Sequence, residues 1–146
     1  MKTGLSVCVS IVMAAGLASA QTDNPVAPQA WDQERVTALA HQLADAVKDL
    51  RFTVRGSPDQ PVGGQRRAQY AAREDLRLLQ SQTRRLAALL DQGEAQDETF
   101  SVFRRIQQIR RSAEDNGARA MISEAIMEKI GTARTLLSEL EPFYAE

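Results

Sequence analysis

Among the side chains able to do chemistry, this chain offers one histidine, His41, and one cysteine, Cys8. A histidine base or metal ligand needs a positioned partner. Asp45, one helical turn further on, is the partner the sequence suggests. On a helical wheel His41 falls away from the apolar stripe Val36, Leu43 and Val47, so its expected place is a solvated face. Covalent haem needs Cys-x-x-Cys-His, which is absent. Non-covalent haem would need His41 with Met121 or Met127 on a facing helix, and both methionines read instead as core filler. No glutamate begins the Glu-x-x-His pattern of di-metal bundles. Asp97–Glu98, Glu114–Asp115 and the pair Glu124 and Glu128 are at most weak cation sites. With no nucleophile motif either, the expectation is a non-enzymatic protein without cofactor or metal.

Arginines are the more patterned charges. Arg66, Arg73, Arg77 and Arg84 step by seven, four and seven residues and share one helical flank, and Arg104 and Arg111 lie seven apart in the next segment. Guanidinium forks recognise carboxylates and phosphates bidentately. These six residues are the expected contact face for a protein or an anionic envelope component. The competing reading is that they pair with acidic residues of the first and last helices. Net charge is −1 for the whole chain. That value excludes bulk attraction to nucleic acid as the main function.

The first twenty residues point to the compartment. Lys2 precedes the uncharged run Leu5–Leu17, and Ala18-Ser19-Ala20 has the small-x-small pattern of a signal-peptidase site. The run is short for a membrane span, which needs about 20 apolar residues. The expectation is a periplasmic or secreted protein cleaved after Ala20, with no transmembrane span in the mature chain. Cys8 leaves with the signal, so the mature chain has no disulfide.

Residues 21–30, with two prolines, read as a flexible tether, and 31–146 as one helical domain. Asp32 is the expected N-cap of a helix with the stripe Val36, Leu39, Ala40, Leu43, Val47, Leu50 and Val54. The Pro- and Gly-rich stretch 55–64 breaks it. A second helix over about 65–91 carries Ala72, Leu76, Leu79, Thr83, Leu86 and Leu90, and Gly93 suits its C-terminus. A third carries Thr99, Val102, Phe103, Ile106, Ile109 and Ala113. It ends either at Asn116-Gly117 or near Met121, with Ser123 then capping the fourth. The last stripe is Ile126, Ile130, Ala133, Leu137 and Leu140, ending at Pro142. Alternating strand patterns are absent.

Four amphipathic segments with short connections predict an all-α, antiparallel up-down-up-down four-helix bundle. The expected function is an exported interaction module, homo-oligomerisation being open. The alternative is a small-ligand or metal-carrying bundle.

Overall fold

A computed structural model describes residues 27–56, 66–118 and 123–145. Residues 1–20, expected above to be an export signal, residues 21–26 of the tether, residues 57–64 of the Pro- and Gly-rich stretch, and Met121 lie outside the described residues. Four helices follow in order: α1 (Gln33–Gly56), α2 (Arg66–Asp91), α3 (Gln96–Ala118) and α4 (Glu124–Leu140), then a 3-10 turn, Glu141–Phe143. There is no strand among the described residues.

The helix ends follow from local chemistry. Asp32 caps α1, its Oδ1 accepting the Arg35 amide at 3.1 Å. After α2 the chain closes as a Schellman turn: the Gly93 amide donates to Leu90 O and the Glu94 amide to Leu89 O. Gly93 holds φ +84° there, where any side chain would be strained. At α3 the Glu98 carboxylate accepts the Ala95 amide at 3.1 Å, and Asp97 and Glu98 place negative charge on the positive end of the helix dipole. Helix α3 runs through Asn116-Gly117, so the turn considered at that dipeptide does not form. Gly117 is buried on the stripe, and Ser123 occupies the N-cap position of α4 with extended backbone, although its side chain makes no capping hydrogen bond.

Helix α1 packs against α2 and α4, and α2 against α3. Contacts between α1 and α2 run in opposite directions along the chain, His41 with Asp91 and Arg51 with Gln80. Glu114 with Arg134 and Gln107 with Glu141 do the same between α3 and the C-terminal segment. Helices α3 and α4 are the loosest neighbours, meeting through these long side chains more than by close backbone approach. The four stripes bury one continuous core, with Val36, Leu43, Val47, Leu86, Ile106 and Leu140 fully enclosed.

One end of the core is sealed by aromatic rings. Tyr144 stacks on Phe103 with centroids 4.1 Å apart, and Trp31 meets it edge-on at 5.5 Å. The Tyr144 hydroxyl hydrogen-bonds Thr99 Oγ1 at 2.9 Å. Trp31 Nε1 donates to Gln33, whose own amide donates to Leu90 O and Glu94 O, carbonyls at the α2 terminus. The Gln29 amide donates to Pro142 O, tying the chain's entry to its exit.

Burial pushes the Tyr144 phenol above the usual tyrosine range, and the Thr99 hydrogen bond draws it partly back. The unfolded chain therefore releases this proton first. The resulting stability is complete below the unfolded pKa of about 10 and is lost as pH rises toward the higher folded value. Alkaline unfolding monitored by circular dichroism should be steep above pH about 10, and shallower in Tyr144→Phe. Thr99 Oγ1 keeps its bond to Ala95 O in that variant.

Candidate functional site

Among the described residues, the opposite end of the bundle is open. Where the sealed end packs Leu90, Phe103, Leu140 and Phe143, the stripes here carry Ala72 on α2 and Ala113 and Gly117 on α3. Small residues at the same level leave space that neither Val54 and Leu50 of α1 nor Ile126 and Ile130 of α4 fill. The result is a cavity of about 490 Å³ among all four helices, floored by Leu76, Leu79, Ala133 and Leu137. Ligand pockets typically run from about 300 to 1,000 Å³ and are mostly apolar with a few polar groups. Val54, Ala72, Ala113, Ile126 and Ile130, all stripe residues, are only partly buried for this reason. Met127 lies at the rim, half exposed.

The polar lining comprises Gln69 and Arg73 of α2, Arg110 and Glu114 of α3, and Ser123 and Arg134 at α4. Arg134 of α4 donates through Nε to Glu114 Oε1 of α3 at 2.8 Å, and Arg110 Nη1 lies 3.6 Å from the same oxygen. That second distance is too long for a hydrogen bond. Arg110 Nε is shielded from solvent and has no acceptor. An unpaired buried donor costs about 1–3 kcal/mol. Two guanidinium groups thus share one carboxylate across the gap between the loosest pair of helices. Arg73 lines the cavity from α2.

Of the six arginines proposed as a contact face, only Arg73 borders this cavity. Arg104 and Arg111 border a second, shallower groove with Phe100, Gln107 and Glu141, and Arg104 lies 5.7 Å over the Phe100 ring. Arg77 is engaged by Glu74 one turn earlier, at 2.6 Å. Hydrogen bonding from Arg77 holds the Glu74 carboxyl below its ordinary range. Arg66 and Arg84 are exposed on α2. The six therefore do not line one recess. An interhelical ion pair at this end, Arg134 with Glu114, runs from α4 to α3.

His41 is solvent-facing, as expected, but its partner is not Asp45. Its Nε2 lies 2.9 Å from Asp91 Oδ1 at the end of α2, both side chains about half exposed (53% and 51%). Exposed pairs of this kind contribute little. His41→Ala should change unfolding free energy by less than about 0.5 kcal/mol in a denaturant titration. Met127 borders the cavity, far from any pairing with His41. No group of three or more His, Cys, Asp or Glu that could hold a metal occurs among the described residues. No described helix is long and apolar enough to cross a membrane.

Comparison with protein-family models, with curated proteins and with solved structures returned no match.

Proposed function

We propose that this protein is an exported, non-catalytic carrier that holds a small apolar molecule in the open end of its helical bundle. The observation that carries the reading is the cavity of about 490 Å³, lined by Leu76, Ile126, Ile130 and Leu137, with Arg110, Glu114 and Arg134 grouped between α3 and α4 and Arg73 on α2. A core with the same four stripes and large side chains at positions 72, 113 and 117 would have closed on itself, as the other end does. Apolar surface left accessible at this scale marks a binding site more often than a packing fault. The export part of the reading is supported by residues 1–20, whose basic start, apolar run and Ala-Ser-Ala ending suit a cleaved signal. The test is titration with the uncharged dye N-phenylnaphthylamine, whose emission rises in apolar surroundings. Saturable binding of one equivalent is expected; no binding to folded protein would overturn the carrier.

A second reading keeps the arginine surface as a contact face for a protein or an anionic envelope component, and it is favoured by the exposure of Arg66, Arg84 and Arg111. Reversing Arg77 and Arg84 to Glu should leave the melting temperature nearly unchanged, since neither is part of the core. On this reading the reversal abolishes capture by an anionic matrix, and in the native protein raised salt weakens it. Capture unaffected by both would remove the contact face.

A further inference from the structure

We infer that the carried molecule is a single-chain amphiphile ending in an oxyanion, its tail among Leu76, Ile126 and Ile130 and its head between Arg110 and Arg134. This rests on the carrier reading above. The charged groups at this wall are unbalanced, because Arg110 and Arg134 share the one carboxylate of Glu114. Arg134 holds that carboxylate at 2.8 Å, while Arg110 stands off at 3.6 Å with its Nε unbonded. Arg110 is therefore the group with donors to spare, on the cavity wall, one turn before Glu114. A guanidinium presents a fork matched to a planar oxyanion, and charge-assisted pairs of this type are the strong ones. An incoming oxyanion would neutralise the excess positive charge and give the Arg110 donors an acceptor. A cationic head would meet the same excess as repulsion, and a neutral hydroxyl head would satisfy fewer donors. Beyond these charges the described lining is mostly aliphatic, with Gln69, Arg73 and Ser123 as its other polar side chains, which suits an apolar chain for the tail.

The experiment compares laurate, lauryl phosphate, lauryl alcohol and laurylamine, all as monomers below their micellar concentrations, by displacement of N-phenylnaphthylamine from the full mature chain. Laurate should bind about tenfold more tightly than the alcohol, and laurylamine more weakly than either. Tighter binding of laurate than of lauryl phosphate would identify a carboxylate as the head, and the reverse order a phosphate. Arg110→Gln with Arg134→Gln should bring laurate down to the level of the alcohol while the alcohol itself is unaffected. Glu114→Gln removes the competing carboxylate and should strengthen laurate binding, a gain that a damaged fold would not produce. Equal binding of all four probes would overturn the head-group assignment and leave the carrier standing. Tightest binding of laurylamine would overturn it as well. Displacement by none of them, with the dye itself unbound, would overturn the carrier reading and this inference together.

Discussion

Ala113→Leu should raise the melting temperature and weaken binding of an apolar molecule at the same time. Ala113 is partly buried on the α3 stripe and borders the cavity. Leucine adds three carbons there without altering helix propensity much. Each buried methylene contributes about 0.8 kcal/mol, and incomplete burial brings the net gain into the range of about 0.5–2 kcal/mol typical of cavity filling. For a chain of this size the melting temperature should rise by roughly 2–8 °C. The same side chain occupies space a carried molecule needs, so dye affinity should fall at least tenfold. Ala72→Leu, on the facing α2 wall, should behave alike. A drop in melting temperature would mean that the bundle end is already filled in solution, since overpacking costs about 1–3 kcal/mol.

Leu86→Ala should be among the most damaging single changes in α2, and Leu76→Ala should be clearly milder. Both leucines belong to one stripe, and the chemistry deleted is identical. Leu86 is fully enclosed, so its loss leaves a void within a packed layer. Leu-to-Ala changes span about 2–5 kcal/mol, the cost rising with the volume left unfilled. Leu86 belongs near the upper limit. Against a total stability of about 5–15 kcal/mol, that is a large share. Leu76 faces space that is already open, so truncation enlarges an existing cavity and belongs near the lower limit. Urea titrations of the two variants measure the difference directly, and equal losses would contradict a bundle packed at one end and open at the other.

The architecture was legible because each helix carries a stripe with helical spacing and each boundary carries a local signal. Asp32 caps, Gly93 takes the left-handed turn, and Glu98 bonds the α3 start. What periodicity does not report is level. Ala72, Ala113 and Gly117 each look like acceptable stripe residues within their own helix. Their coincidence at one height depends on where α1 ends, how α2 begins and how far α3 runs past Asn116-Gly117. Those are the positions at which spacing arguments are weakest. The aromatic seal was missed for a related reason. The stripe spacing predicts an end at Pro142, yet the chain continues through a 3-10 turn that brings Tyr144 back onto Phe103.

The site residues divide along the same line. Seven- and four-residue steps group the arginines of α2 on one flank, but a flank is defined within a helix and a wall is built between helices. Arg110 stands beside Arg111 in the sequence. Only Arg110 turns inward to the cavity; Arg111 stays exposed at the second groove. Arg134 belongs to no arginine series and is significant only through Glu114, twenty residues earlier.

The central claim is that one end of the bundle is a binding cavity, and methyl NMR of the isoleucine, leucine and valine side chains tests it most directly. On addition of laurate, shifts should be confined to the cavity methyls, those of Leu50, Val54, Leu76, Leu79, Ile126, Ile130 and Leu137, saturate at one equivalent, and leave Val36, Leu86, Leu90 and Val102 at the sealed end unchanged. Shifts spread over the sealed end, or no shifts at saturating laurate and N-phenylnaphthylamine alike, would contradict it.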